Sequence, residues 1–191
     1  MILQSRSDLF RFEFPKVFFP KEVKDRWRAY VERMPIPTSD VPSLVNYSVQ
    51  SFTVPNYNYQ PAEQVKPGWD PTARGSVRKW RNSLAAEMLS ERKFEVTMKL
   101  LDGYWNYWVM HETFFHMYAS ENREPFLVDL PLRILDADGN IMYTVTFHDC
   151  LFVGIDKFEL SYSDVDTGAK TFNCNFEFNE TTVAFDLDLG E

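Results

Sequence analysis

"LVDLPLRILDADGNIMYTVTF", residues 127–147, decides how this chain of 191 residues folds. Val128, Leu130, Leu132 and Ile134 alternate with Asp129, Pro131 and Arg133, and after a break Ile141, Tyr143, Val145 and Phe147 repeat the alternation. Successive side chains of a strand point to opposite faces, so a period of two predicts two strands, each apolar on one face and polar on the other. A single apolar face argues for antiparallel pairing. Between the two runs, Asp138-Gly139 is a hairpin signal. Pro131 has no N–H to give a ladder, which predicts an edge strand or a bulge at that point.

The same pattern recurs on both sides. "KFEVTMKLL" (93–101) alternates Phe94, Val96, Met98 and Leu100 with polar residues, "KFELSYS" (157–163) offers Phe158, Leu160 and Tyr162, and "TFNCNFEF" (171–178) offers Phe172, Cys174, Phe176 and Phe178. "DVDTGAK" (164–170) reads as a longer hairpin loop in which Gly168 can take positive φ. Upstream the pattern loosens. "LFRFEF" (9–14) predicts a strand with Phe10, Phe12 and Phe14 on one face, and Val23, Trp27, Tyr30 and Val31 predict a helix from near Pro20. "LVNYSVQSFTV" (44–54) reads as a strand with Val45, Tyr47 and Val49 inward, switching to Phe52 and Val54 through a bulge near Gln50 or Ser51. Residues 55–75 carry Pro55, Pro61, Pro67 and Pro71 and predict a long loop, of a length uncommon unless it binds something. The following "SVRKWRNSLAAEMLSER" (76–92) reads as helical. The expected class is mainly β, an antiparallel sandwich or barrel with one packed amphipathic helix and short additional helices. The expected organisation is one domain over 1–191, with a loop-and-helix insertion at about 55–92.

Composition bounds the function classes. At 45% hydrophobic and 25% charged the sequence is that of an ordinary globular protein, and its 16% aromatic content, with seventeen phenylalanines, predicts a large ring-filled core or extensive subunit contact. No apolar run approaches bilayer length and the N-terminus breaks into charges early, so the expectation is synthesis in the cytoplasm without membrane insertion. Cys150 and Cys174 fall in predicted strands and read as small buried hydrophobes. Net charge is −8, but it is unevenly placed: 16 Lys and Arg against 11 Asp and Glu in residues 1–100, then 4 against 17 in 101–191, so the halves carry +5 and −13. Solvated faces account for such a split; so does a molecule with opposite poles that meets its copies head to tail.

The segment richest in chemical side chains is "GYWNYWVMHETFFHMY" (103–118). A zinc-binding helix needs histidines at i and i+4 to face one metal. His111 and His116 are five apart, so on a helix they diverge by roughly 140°. His148, beside Asp149 and Cys150, has no partner set by spacing. No catalytic residue, metal site or cofactor site is assigned. Tyr104, Tyr107, Trp108, His111, Phe114, Phe115 and Tyr118 instead recur at helical spacing, a broad apolar stripe expected to dock the helix. Nucleotide-binding glycine motifs and a G-x-S-x-G elbow are missing. Asp164/Asp166 and Asp186/Asp188 read as solvated charge.

In order and wording, "FEVTMKLLDGYWNYWVMHETF" followed by "LPLRILDADGNIMYTVTFHDCLFVGIDKFELSYSDVDTGAKTFNCNFEFN" resembles the tail-tube proteins of contractile-tailed bacteriophages and their relatives at the baseplate. "FEFPKVFFP" and "YSVQSFTVPNYNY" fit the opening strands more loosely, so the resemblance spans about residues 8–180. It implies a structural virion protein of the tail, assembled in the host cytoplasm. Its subunits form hexameric rings in which strands of neighbours pair to close one barrel, and the rings stack into a tube that conducts DNA. The implied partners are copies of itself and the sheath, baseplate and tape-measure proteins. Polar strand faces would line the lumen, which makes Glu95, Lys99, Asp129, Arg133, Glu159 and Glu177 candidate lumen residues. Their charges, with Lys93 and Lys157, nearly cancel, where the family tends to acidic linings. The basic stretch Arg74, Arg78, Lys79, Trp80 and Arg81 is the candidate for ring stacking. The insertion at 55–92 is longer than a typical tube subunit's loop, so a tube-initiating or baseplate ring of the same fold is the alternative. Two other classes stand beside these: a β-sandwich ligand-binding module using Trp69 or Trp80, and a metal-dependent enzyme using His111 or His148.

Overall fold

The fifteen-residue strand β7 (Ile141–Ile155) organises the sheet. The computed structural model describes residues 8–33, 40–55, 62–63, 79–80, 92–119, 127–158 and 170–185. The chain divides into two compact units, one of residues 1–54 with 93–191 and the other of residues 55–92.

In the larger unit, β7 pairs antiparallel with β6 (Val128–Leu135) through a hairpin centred on Asp136–Asn140, as the alternation predicts. The Asp136 carboxylate accepts the backbone N–H groups of Asp138 (2.9 Å) and Asn140 (2.8 Å), and Gly139 sits at φ +88°, which a side chain would strain. The register sets Leu130 opposite Phe147, Leu132 opposite Val145 and Ile134 opposite Tyr143, all on one face. β1 (Phe10–Phe12) adds to the other side of β6, with Phe12 opposite Leu132. Of the edge or bulge expected from Pro131, the edge is corrected, since β6 lies inside the sheet, while the β6–β7 ladder is irregular between Val128 and Leu130, just before the proline. Proline is tolerated there because the β1 ladder ends at Leu132, one residue short of it.

β7 then changes partners. Tyr143–His148 pair with β9 (Glu180–Phe185), and Leu151–Ile155 pair with β8 (Thr171–Glu177). Between these stretches Asp149 takes φ +52°, an uncommon conformation for a residue with a side chain. Its N–H is accepted by Asp129 Oδ1 (3.1 Å), and Asn179 Nδ2 donates to its carboxylate (3.3 Å). Strands that pass from one sheet layer to another through such a bend build corners. Beyond β8, β5 (Lys93–Lys99) and then β2 (Val49–Thr53) complete the order β1-β6-β7-β8-β5-β2, with β9 branching from β7. A register shift at Gln50 is the bulge the face switch predicts. Phe12 of β1 and Phe52 of β2 bring their rings to 5.2 Å, yet no ladder joins the two strands, so the sheet is not a closed barrel.

Three α-helices belong to the described residues. α1 (Lys21–Val31) follows Pro20 and buries Val23 and Val31. α2 (Val41–Tyr47) corrects the strand expected from Leu44. Asp40 stands at its N-cap with Pro42 in the first turn, a helix start, and Val41, Leu44 and Val45 are buried at i, i+3 and i+4. Over so few residues a period of two and one of 3.6 are hard to separate. α3 (Trp105–Ala119) follows a 3-10 turn at Asp102–Tyr104. The strand expected over 157–163 is not formed at Lys157 and Phe158, and its remainder lies outside the described residues.

The core is ring-filled, as the phenylalanine content predicts. Phe176 stacks on Phe94 (5.2 Å, 13°) and on Phe152 (4.8 Å, 15°), and Phe14, Phe18 and Phe19 close over them. Burying each such side chain contributes on the order of 1.5–3 kcal/mol before entropy is subtracted. Cys150 and Cys174 are buried free thiols in β7 and β8, both with pKa raised by burial, Cys150 to about 12.

In the smaller unit, β3 (Ala62–Glu63) pairs antiparallel with β4 (Lys79–Trp80). These short strands stand where the sequence predicts a loop and a helix. The rest of that loop and helix lies outside the described residues.

Candidate functional site

The faces that could meet partners are built from α3, the polar side of the sheet and the sheet borders. α3 starts where β5 ends, and Asn106 joins them. Fully buried, it donates to Lys99 O (2.8 Å) and accepts from Leu101 N (3.1 Å), so the strand-to-helix turn is satisfied by one side chain. The face of α3 that packs inward is Trp105, Val109, Met110 and Thr113. This shifts the docking stripe expected from the aromatic spacing. Tyr107 and Phe114 flank the buried face, touching Phe172 (5.2 Å) and Phe152 (5.3 Å). Tyr104, Trp108 (45% exposed), Phe115 (55%) and Tyr118 (51%) turn to the surface, and His111 lies tilted against Phe115, ring centroids 4.6 Å apart. Seven aromatic and histidine side chains cover more of the helix than one face can bury, and the inward face is carried by Trp105 and Met110 together with the smaller Val109 and Thr113.

Glu112 is the tie between helices. It accepts Trp27 Nε1 (3.0 Å) and pairs with Arg26 (3.1 Å) of α1. His116 faces Glu22 at 3.7 Å, so His111 and His116 serve different neighbours. A groove of about 230 Å³ between α1 and α3 is walled by Val23, Phe115 and Ala119.

The candidate lumen residues fall on polar faces of the sheet. Glu95, Lys99 and Glu177 share the outer face of β5 and β8, where Glu177 pairs with Lys93 at 2.8 Å. Asp129 and Arg133 lie on β6, and Arg133 pairs with Glu13 (2.8 Å), which also holds Arg11. Exposed pairs of this kind add little stability; their effect is to neutralise the face. Glu159 lies outside the described residues. So do Arg74, Arg78 and Arg81, while Lys79 and Trp80 are placed only as the backbone of β4.

One cluster is not legible in the sequence. Asp129 Oδ2 lies 3.1 Å from His148 Nδ1, and His148 Nε2 lies 2.7 Å from Thr182 Oγ1. An ionised carboxylate only accepts, so Nδ1 is the donor to Asp129, while the Thr182 hydroxyl can serve Nε2 as donor or acceptor. The Asp149 N–H, and then His148, hold the Asp129 carboxyl below its usual range. The cluster ties β6, β7 and β9 together at the sheet corner. His148-Asp149 is the visible half of its signal; Thr182 is too distant in sequence to be linked to it without the register. Among the described residues, no three His, Cys, Asp or Glu side chains come together as a metal-binding set, and no helix is long and apolar enough to cross a membrane.

The borders are managed differently. The outer sides of β1 and β2 line a cleft of about 670 Å³, where the Asn46 amide accepts from Phe14 N (2.8 Å) and donates to Phe14 O (3.1 Å). Past the end of the β6 ladder, Tyr118 Oη donates to the Phe152 carbonyl of β7 (2.6 Å).

No protein-family model matches the chain, and no curated protein matches it. Among solved structures it is similar to a chain of the anti-feeding prophage (AFP) baseplate, determined by cryo-EM with six-fold symmetrisation. The match has a TM-score of 0.37 at 8% sequence identity and covers 49% of this chain and 57% of that one, little more than half its length.

Proposed function

We propose that this chain is a structural, non-enzymatic subunit of a contractile tail, forming a ring with copies of itself, six by family resemblance, around a lumen through which DNA passes. The supporting observation is the order of elements. A strand, a tight turn, a helix, a long hairpin and a closing strand (β5, α3, β6, β7 and β8) fall on the residues that carry the family resemblance. In the ring, the polar faces bearing Glu95, Lys99, Asp129, Arg133 and Glu177 line a mild, nearly neutral lumen, with Glu159 as a further candidate. Exposed rings of α3 face outward, toward neighbouring subunits, sheath or baseplate. An open sheet in a single copy suits this reading, because closing it with neighbours removes edges that invite uncontrolled pairing.

Within that reading, a ring at the end of the tube, as initiator or baseplate component, is favoured over a repeating tube subunit by the separate compact unit at 55–92. Negative-stain microscopy and sedimentation of the purified chain test both. Single or paired rings support the tube-end position, and long tubes support the repeating subunit. A chain that stays monomeric up to the highest soluble concentration overturns the ring reading.

A further inference from the structure

β1 and β2 stand at the two ends of the sheet order and face each other across the cleft of about 670 Å³. Leu9 O accepts Leu135 N (3.0 Å), and in the antiparallel register that follows, Leu9 and Arg11 are the residues that bond toward β6. Backbone groups alternate sides along a strand. The N–H and C=O of Phe10 and Phe12 therefore point away from β6, toward the cleft, where no described strand pairs with them. Phe12 is only 3% exposed, so water satisfies its outward groups poorly. The next outward pair, at Phe14, is satisfied by a side chain. The Asn46 amide accepts Phe14 N (2.8 Å) and donates to Phe14 O (3.1 Å), the same two bonds that one residue of a paired antiparallel strand makes. Asn46 thus begins a ladder that no described strand continues.

A slot with a strand edge on each side selects its occupant. A strand that already belongs to a sheet cannot lie between β1 and β2 without leaving its partner, and every described strand of this chain has one. The folded strands of a second copy are therefore excluded, and an isolated extended segment is what fits. Pairing falls on β1, because the register of β2 shifts at Gln50. Charge does not steer the segment: of the three charged residues that line the cleft, Arg11 and Glu13 pair with each other and leave Asp8. Directly opposed residues share a sheet face, so side chains set opposite Phe10 and Phe12 turn toward the core. The Phe52 ring already meets Phe12 there at 5.2 Å, which leaves room for a small side chain opposite Phe12 and a larger apolar one opposite Phe10. Between them, opposite Arg11, an uncharged polar residue faces solvent.

We propose that this cleft is a peptide-binding site, in which an extended, uncharged segment of another protein adds a strand to β1 in line with Asn46. Strand addition takes its affinity from main-chain bonds and its specificity from alternate side chains. The main-chain bonds here go to the N–H and C=O of Phe10 and Phe12, and the cleft has the size of ligand pockets, which run from roughly 300 to 1,000 Å³. Docking there goes beyond the ring reading and does not depend on it, because the site is complete in one folded chain.

Amide NMR of the full chain, titrated with a pool of capped heptapeptides that alternate valine or alanine with serine or threonine, tests the site. The expected result is saturable binding in which the Phe10 and Phe12 amides shift and gain protection from solvent exchange, while Arg11, already bonded to β6, keeps its protection unchanged. N-methylating every second amide of the bound peptide is expected to weaken binding by about tenfold in the frame whose N–H groups face β1, and far less in the other. Phe10→Pro removes an outward donor without touching the β6 ladder and is expected to weaken the peptide by a similar factor. The methylated peptides leave the protein unaltered, so they decide the matter should that variant fail to fold. No binding up to millimolar peptide, or equal tolerance of the two methylation frames, overturns the proposal. Protection of Phe10 and Phe12 that grows with the concentration of the chain alone assigns the slot to a segment of a second copy and overturns it as well.

Discussion

The Tyr118 hydroxyl donates to the Phe152 carbonyl oxygen across 2.6 Å, which hydrogen-bonds the last turn of α3 to the strand beneath it. The ring of Tyr118 is half exposed, while burial of its phenol raises its pKa. The residue thus closes a strand border with its tip and offers an apolar surface with its ring.

Removing only the hydroxyl separates these two effects. Tyr118→Phe is expected to cost about 0.5–1.5 kcal/mol of unfolding free energy, the net value of a part-buried hydrogen bond. The surface ring is kept, so assembly of folded protein stays unchanged. Urea unfolding followed by fluorescence reads the first quantity and sedimentation reads the second. No loss of stability would mean that water replaces the phenol without penalty.

Asn106 is expected to be the more costly site. Truncation to Ala leaves Lys99 O and Leu101 N without their partner beneath a buried helix start, at roughly 1–3 kcal/mol for a buried unsatisfied group. The same denaturation experiment checks it. A loss comparable to that of Tyr118→Phe would show that the turn rearranges to satisfy itself.

Acid should loosen the sheet corner through Asp129. Its pKa is lowered in the folded chain, first by the Asp149 N–H and then by His148. A group with a depressed folded pKa contributes stability that is present above the ordinary carboxylate pKa, about 3.9. That contribution fades as the pH falls below this value and is gone below the folded one. Asp129→Asn therefore lowers stability at pH 6 and flattens its decline from pH 4 downward. Urea midpoints across that range decide, and parallel curves for the two proteins would remove Asp129 from the account.

Much of the sheet was legible because period-two alternation is long there. β5, β6, β7 and β8 each carry at least three alternating apolar residues, and Asp138-Gly139 marks the hairpin. The places that misled are short or doubly determined. Val41–Tyr47 alternates over a few residues, and only Asp40 and Pro42 betray the helix. Pro131 marks the end of a neighbour's ladder rather than an edge. On α3 the rings share one spacing, so sequence gives a stripe but not its rotation about the helix axis. That angle is set by Asn106, whose two bonds to the end of β5 turn Trp105 and Val109 inward. The Asp129–His148–Thr182 tie and the β9 border depend on register between distant strands, which no local pattern encodes.

Two glycines with positive φ separate backbone strain from crowding. Gly139 lies at φ +88° in the hairpin, and a Cβ there would have nothing within 4 Å. Gly103 lies at φ +73° at the start of the turn into α3, and a Cβ there would stand 2.8 Å from Tyr30 Oη. Gly139→Ala should therefore cost about 1 kcal/mol, the conformational penalty alone. Gly103→Ala should cost more, because the Tyr30 ring, which contacts Trp27 and Trp105, must also shift. Removing the hydroxyl tests the crowding directly: Tyr30→Phe should recover part of the Gly103→Ala loss and leave Gly139→Ala untouched, a coupling that a double-mutant cycle measures. Tyr30 Oη is the far end of a side chain that is 40% exposed, so it has room to swing outward. If it does so freely, the coupling vanishes and the two alanine variants become equal. A measurable coupling would show instead that α1 holds Tyr30 against the turn, so that the entry to α3 and the seat of α1 are one packed unit.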